Sequence, residues 1–509
     1  MATILELYHV DYWQYRAEGN ANIVLQYIGP HSSFRTTVLR LRKANRLDGP
    51  GTREGEVGAG GTNFGDETIT MKNLTKESQF ATEVIGLLLG SQFVEQLIAV
   101  ALPPEFLSSL AKAIEPSRPE SRRQKGVDLA QSVGFLALDH TRFIKPAPGQ
   151  STVAVEIKPK WGFLTKSAFL RKDQDIKRRK CRFCMYQHQK IKTGQEGGLS
   201  KYCPIELFSG TELLVQDALD SLVDTPQNNL RLFVDGKEQP VNKNSITKVF
   251  LASSTSNQLQ EQQQQRQPTG MKDDDPLDGE DDDSRPAKLT EVLTQILLES
   301  PLLKRLGRLQ QGLDSLDVET IHRFYAHLLD EGADHLPEPT VEAFLETAEA
   351  FMDRTDMNAM MTENQETFEI QNATGLGFEP EDELEELPEA LQLHFIREFL
   401  LSATLKDCSI LVTIQRDDST AVLTEAATGN WMSSRPSRSR LEVDVGSPEF
   451  HEASHRIKFK DEVFVFKITC IDLDPKKMSS VPMYLKKDRA IVSHYLVTVG
   501  DREPTCGSN

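Results

Sequence analysis

The chain has only six cysteines among 509 residues, too few for a disulfide scaffold, so a reducing compartment, cytosolic or nuclear, is expected. It has no uninterrupted apolar run long enough to suggest a membrane span. The nearest approach, ATEVIGLLLGSQFVEQLIAVALP (81–103), is broken by Glu83 and Glu95 and predicts a buried amphipathic helix ending at Pro103-Pro104. The opening MATILELYHVDYW has neither a basic n-region nor a continuous apolar core, so no secretory signal is expected. Basic charge is in short supply as well. A formal net charge of −18 argues against a general nucleic-acid binder, although a local positive cleft is still compatible with it. There is no HRD loop and no DFG motif, which excludes an ordinary protein kinase. The Gly-rich stretch DGPGTREGEVGAGGTNFGDE (48–67) lacks the spacing and the Lys-Ser/Thr ending of a P-loop and predicts a mobile surface loop. No internal repeat is present.

At this length, with 38% hydrophobic and 26% charged residues, the chain can form two to four domain-sized cores. The runs ILELYHV, NIVLQYI and TTVLRLR predict strands within 3–43. Helices are expected at 75–100, at 104–114 and over 211–223, the last with Thr211 as N-cap. VAVEIK (153–158) reads as a strand, and LRLFVDGKEQPV as a hairpin turning on its Asp-Gly pair. Residues 254–288 combine a Gln run with acidic blocks and no aromatic residue, so a disordered insertion is expected there. Helical patterns return over 289–405. Two apolar strands follow, DCSILVTI (407–414) and VFVFKITCIDLD (463–474), with the polar SSRPSRSR (433–440) between them.

Asp472 and Asp474 stand two apart at a strand end, where paired carboxylates suit Mg²⁺, a hard ion that takes oxygen ligands. Asp407 flanks the other apolar strand, placed to serve as base for a hydroxyl. Each of these acids could equally cap a turn. On the positive side, Lys158 and Lys160 flank a proline in EIKPKWGFL, a spacing that suits several phosphates. From Glu156 to Lys192 there are twelve Lys and Arg against three acids. That run is either a solvated helix face, centred on a helix at 175–192, or the lining of a cleft.

KRRKCRFCMYQHQKIK (177–192) also carries Cys181 and Cys184, with His188 four residues on. These would share one helical face, and Cys203 would complete a Cys₃His zinc site. The rival is that they are ordinary buried thiols. A zinc-stabilised nucleic-acid adaptor centred on 177–203 is the alternative function from another class.

EIKPKWGFL, CRFCMYQHQK, SKYCPIELFSG, QNNLRLF, KDCSILV and IDLD occur in the order found in inositol-pentakisphosphate 2-kinases. RAEGNANIVLQY resembles that family's nucleotide loop, and RPESR (118–122) is typical of it. The resemblance runs from about residue 10 to 495, weakens through 254–390, and leans towards animal members. It implies a two-lobed α+β kinase with ATP between the lobes, acting as a monomer without membrane or nucleic-acid partners. The implied reaction carries the ATP γ-phosphate to the axial 2-hydroxyl of inositol 1,3,4,5,6-pentakisphosphate, giving the hexakisphosphate. The implied divisions are an N-lobe over 1–139, a hinge and first C-lobe strand over 140–158 and an inositol-phosphate part over 159–253. The insertion at 254–288, catalytic helices and strands over 289–500 and a flexible tail at 501–509 complete them.

The resemblance also assigns roles. Gly19, Asn20, Ala21 and Asn22 would cover the ATP phosphates, joined by Arg40 and Lys158, with His140 and Glu156 against the nucleoside. Asp472 and Asp474 would hold Mg²⁺, and Asp407 would deprotonate the hydroxyl, with Lys158 assisting. Arg122, Lys160, Arg182, Lys190, Asn228, Asn229 and Lys476 would bind the inositol phosphates. The chain departs from the family pattern at Tyr186, Asn45, Ser480 and Leu138, and reads DLDPKK where DLDLKP is usual. KRRK (177–180) resembles a nuclear signal but would be poorly available inside a folded cleft.

Overall fold

The computed structural model describes residues 6–19, 21–45, 76–131, 133–147, 149–243, 246, 288–329, 332–355, 387–417, 453–500 and 504–507. Asn20, the Gly-rich stretch, the loop at 433–440 and the Gln/Asp-rich insertion up to 287 lie outside them.

The first sheet is built from β1 (Trp13–Glu18), β2 (Asn22–Tyr27), β3 (Thr37–Asn45), β4 (Ile98–Ala101), β5 (Lys125–Val127) and β6 (Val133–Leu138). Its order is β1-β2-β3-β6-β4, with β5 beside the far end of β3, and every pairing is antiparallel. Alternation along β3 sets its two faces. Leu39 and Leu41 enter the core with Ile23, Leu25 and Leu136, while Arg40 points the other way. The described part of ILELYHV, residues 6–10, forms no strand. It makes short 3₁₀ turns at Glu6–Tyr8 and Val10–Tyr12, where Leu7 caps this core and accepts the Trp13 indole N–H at 2.8 Å.

Between β3 and β4, α1 (Lys76–Gln79) continues through a π turn (Phe80–Ile85) into α2 (Gly86–Leu89). The helix expected over 75–100 stops there because Gly90 takes φ 101°, and the chain then forms β4. Phe80, Val84, Leu88 and Phe93 join the larger second core, not the core of the first sheet. α3 (Pro104–Ile114) opens on Pro104 as expected.

The second sheet contains β7 (Val153–Ile157), β8 (Leu230–Val234), β9 (Lys237–Gln239), β10 (Ser409–Arg416), β11 (His455–Phe459) and β12 (Glu462–Ile471), in the order β11-β12-β10-β7-β8-β9. The Asp-Gly hairpin joins β8 to β9, with φ 47° at Asp235 and 79° at Gly236. Helices pack on this sheet: α4 (Arg182–Lys192), α5 (Pro204–Leu207), α6 (Glu212–Asp224), α7 (Leu289–Glu299) and α8 (Pro301–Gly312). α9 (Asp317–His327), α10 (Val341–Arg354), α11 (Glu389–Leu405) and α12 (Val481–Thr498) complete the set. The chain is therefore α+β, with two antiparallel sheets. No helix among the described residues is long and apolar enough to cross a membrane.

Two features tie the sheets together. Arg16 on β1 bonds Asp139 and Thr141 and reaches the Gly236 carbonyl at 3.2 Å. On the other side, Val94 pairs with Cys470 in a parallel bridge, and the Glu95 N–H donates to the Cys470 carbonyl at 3.3 Å.

Candidate active site

β7 lies between β10 and β8, so all five of its residues are buried. Val153, Val155 and Ile157 face the core, which turns Glu156 and Lys158 to the opposite face. The chain then leaves the sheet sharply. Lys160 adopts φ 63°, a left-handed conformation costing roughly 1–2 kcal/mol for a residue with a Cβ. Buried Gln310 of α8 holds this bend: its Nε2 donates to the Lys160 and Leu405 carbonyls, each at 3.0 Å, and its Oε1 accepts from Gly162 N at 2.9 Å. Tyr202 adds a 2.8 Å bond to the Pro159 carbonyl. At Gly162 any Cβ would meet the Phe208 ring at 2.3 Å, so only glycine fits.

Leu405 ends α11, so Gln310 also fixes the turn that presents Asp407. The Asp407 N–H donates to Thr404 O at 3.1 Å, and its carboxylate is more than half exposed to the cleft. Lys476 donates to Oδ2 at 2.8 Å. Burial works to raise the Asp407 carboxyl, but Lys476, Lys160 and Lys158 outweigh it and hold it below its ordinary range. Burial lowers the Lys160 ammonium to about 8, with Lys158 and Lys190 acting in the same direction and Asp407 against them. Tyr484 of α12 stands by the same pair, its phenol raised by burial while it feels both Lys476 and Asp407. No motif in the sequence points to Tyr484.

Asp472 and Asp474 follow β12. The strand ends at Ile471, and Asp472 takes φ 62°, so simple alternation does not govern the pair. Both acids nonetheless face Arg40. Asp472 Oδ1 lies 3.7 Å from the Arg40 guanidinium, its Oδ2 lies 3.5 Å from Lys158 Nζ, and Asp474 also acts on Arg40. Arg40 is held by Glu95, a residue that sequence reasoning assigned only to breaking an apolar run. Burial pushes the Glu95 carboxyl up to about 7, with Asp472 and Asp474 adding to this and Arg40 opposing it. Asn22, Arg40 and Asp474 line one cleft with Leu97 and Phe135.

The turn expected to cover the nucleotide is anchored from below. Glu18 accepts from Lys43 and, at 2.8 Å, from Arg118, while Gly19 N donates to Asn22 O at 2.9 Å. A Cβ on Gly19 would meet nothing within 4 Å, which leaves open space above the turn, and Ala21 and Asn22 continue it. His140 has both ring nitrogens buried without a partner. Burial keeps it neutral, at about 3. Such orphaned atoms fit an incoming nucleoside. Glu156 is engaged already, Ser409 and Arg231 bonding its two oxygens at 3.0 and 2.9 Å.

Among the predicted substrate residues, Lys160, Lys190 and Lys476 converge near Asp407. Asn229 accepts Lys158 N through its backbone at 2.8 Å and keeps a buried, unpartnered Oδ1; Asn228 beside it is exposed. Arg182 gives Nε to Asp488 at 3.0 Å and lies over the Trp161 ring, 4.8 Å from its centre. Arg122 is exposed on a loop that Arg118 pins through the Arg122 carbonyl. The basic run is not a uniform wall. Lys177 is buried between Asp317 and Asp488, at 2.7 and 2.8 Å, and Lys180 is buried too. These two cations neutralise or pack in the interior, so KRRK is not an exposed signal.

The cysteine expectation is corrected in one ligand. The Sγ atoms of Cys181, Cys184, Cys203 and Cys506 all lie within 4.8 Å of one another. His188 stays outside, its ring edge-on to Tyr495 at 5.3 Å. Cys184 and His188 both lie in α4, but the fourth position beside the three predicted thiols is filled by Cys506 from the far end of the chain. Cys506 N donates to the Arg179 carbonyl at 2.9 Å, so residues 504–507, expected within a flexible tail, are docked.

The sequence profile of the inositol-pentakisphosphate 2-kinase family matches residues 15–490. An inositol-pentakisphosphate 2-kinase of Arabidopsis thaliana is 28% identical, the alignment covering 97% of this chain and 95% of the plant protein. One of Danio rerio is 24% identical over 95% of this chain and 93% of its own. That of Drosophila melanogaster is 53% identical, but over only 53 residues, 10% of this chain and 8% of its own. The whole-chain identities, 28% to the plant protein and 24% to the fish protein, support the family without favouring its animal members. With the profile spanning both sheets and every residue of the cleft, the chain belongs to the inositol-pentakisphosphate 2-kinase family.

Proposed function

We propose that the protein transfers the γ-phosphoryl group of ATP to the axial 2-hydroxyl of inositol 1,3,4,5,6-pentakisphosphate, forming the hexakisphosphate. One observation carries this reading: Lys158, Lys160 and Lys476 converge on Asp407 while Arg40 and Lys158 face Asp472. Acceptor lysines and nucleotide-side acids thus meet at Lys158.

The residues act in sequence. A pentakisphosphate carries on the order of eight or more negative charges near neutrality, since phosphate second pKa values are near ~6. Each close Lys–phosphate pair contributes roughly 4 kcal/mol of Coulomb energy at an effective dielectric of ~20, much of it removed by desolvation. Lys476 exchanges Asp407 for a substrate phosphate, which frees Oδ2 to accept the hydroxyl proton. Lys158 and Arg40 neutralise the group in transit, and Gly19 to Asn22 cover the phosphates. Asp472 and Asp474 fit Mg²⁺: Asp472's oxygens meet their cationic neighbours only at long range, 3.5 Å to Lys158 and 3.7 Å to Arg40, and both acids face the nucleotide arginine. When bound there, Mg²⁺ supplies charge neutralisation of ATP oxygens.

Cys181, Cys184, Cys203 and Cys506 fit a structural zinc, since tetrahedral thiolates at ~2.3 Å from a metal sit about 4 Å apart. Backbone N–H groups of Cys181 and Cys184 point at Cys506 and Cys181 sulfurs, each at 3.4 Å, as thiolate ligands require.

Incubation with γ-labelled ATP, Mg²⁺ and inositol pentakisphosphate should give one labelled product, the hexakisphosphate with label on the 2-position. Label at any other position, or none, rejects the reading.

A further inference from the structure

Three cations surround one aromatic ring beside the cleft. Arg182 Cζ, Lys190 Nζ and Lys487 Nζ lie 5.8, 5.3 and 4.8 Å from the centre of the Tyr186 ring. The first two come from Tyr186's own helix, α4, at i−4 and i+4. Lys487 comes from α12, which packs along α4.

Acids account for only part of this charge. Asp488 is shared between Arg182 and Lys177, and it sits buried beneath them. Glu196 lies 3.4 Å from Lys190. Lys487 is exposed and has no ion pair among the described residues. The Arg182 terminal nitrogens likewise carry no hydrogen bond among the described residues, since only Nε meets Asp488. An aromatic face attracts each cation but does not cancel their mutual repulsion. The arrangement is therefore completed by an anion.

Its position identifies that anion. Tyr484, beside Asp407 and Lys476, is one turn before Lys487 on α12, an axial rise of about 4.5 Å. Lys190 is close enough to Lys160 to lower its ammonium further, and Arg182 lies over the ring of Trp161, the residue after Lys160. The cluster thus adjoins the acceptor side of the cleft.

We propose that Lys487, gathered on the Tyr186 ring with Arg182 and Lys190, binds a phosphate of the inositol substrate remote from the reacting hydroxyl, so that the enzyme favours acceptors carrying that phosphate. This rests on the inositol-phosphate kinase reading above. Tyr186 is the positioning residue: its ring collects the three cations, and the sequence departure at this position serves that role.

Steady-state kinetics of Lys487→Gln, Lys487→Arg and Tyr186→Leu test it, with inositol pentakisphosphate and an inositol tetrakisphosphate as acceptors. K487Q should raise KM for the pentakisphosphate about tenfold, as expected for losing one charge-assisted contact, with kcat and KM for ATP changing less than twofold. K487R should restore it, and Y186L combined with K487Q should add less than either change alone. The preference for penta- over tetrakisphosphate should narrow in K487Q. Unchanged KM in K487Q of an enzyme that phosphorylates the pentakisphosphate overturns the assignment alone. A wild-type protein inert towards the pentakisphosphate overturns the underlying function and this assignment with it.

Discussion

Lys476 donates from Nζ to Oδ2 of Asp407 at 2.8 Å, so the proposed base is already engaged by a cation that the proposed function assigns to the substrate. Replacing Asp407 by Asn removes the proton acceptor and keeps the shape. Turnover should fall by about 10²–10⁴, with ATP affinity within twofold of wild type by equilibrium binding. Full turnover in D407N would remove Asp407 as the base.

Gln310 should matter to stability and chemistry together. Gln310→Leu strands the Lys160 and Leu405 carbonyls and the Gly162 N–H. With a penalty of about 1–3 kcal/mol for each buried group left unpaired, a loss of at least ~2 kcal/mol in denaturant unfolding is expected. kcat/KM for the inositol substrate should drop as well, because both Lys160 and Asp407 lose their common support.

Lys160 sets a pH dependence of opposite sign in folding and in binding. Its ammonium is lowered to about 8 in the folded protein against 10.5 for an ordinary lysine. The folded state therefore binds fewer protons between those values. The penalty for burying this charge is complete below pH 8 and fades as pH rises towards 10.5. A polyanion needs the charged form, so affinity should decline as pH rises through 8. Calorimetric titration of the pentakisphosphate near pH ~8.5, in two buffers of unlike ionisation enthalpy, should reveal proton uptake that Lys160→Met abolishes. Equal uptake in the variant would place Lys160 outside the binding site.

The four-thiol cluster predicts a ligand-specific pattern of metal content. Purified wild-type protein should carry one zinc, Cys506→Ser should lose it, and His188→Ala should keep it. The reverse pattern, measured by metal analysis, would restore the Cys₃His arrangement.

Glu95 acts through Arg40. Glu95→Ala should raise KM for ATP about tenfold, the scale of one charge-assisted contact, and leave KM for the inositol substrate unaltered. An unchanged KM for ATP would leave Glu95 a packing residue only.

The elements most legible in the sequence are those whose signals are local. VAVEIK, DCSILVTI and VFVFKITC are apolar enough to read as central strands, and Asp235-Gly236 marks its own hairpin. The carboxylates and the EIKPK lysines were visible because their types match phosphoryl transfer. Residues that act at long range were hidden. Gln310 and Glu95 are buried polar side chains whose partners lie on other elements, and Cys506 is about 300 residues from Cys203. ILELYHV alternates like a strand, yet Leu7, Tyr8 and Val10 turn their side chains onto the first core from short 3₁₀ turns.

The bridge between Val94 and Cys470 lies only two residues before Asp472. A hydrogen-bonded joint this near the carboxylates staples the segment carrying Glu95 to the strand that leads into Asp472. Glu95 and Asp472 are both partners of Arg40, so the main chain itself keeps the arginine and its acids in one register.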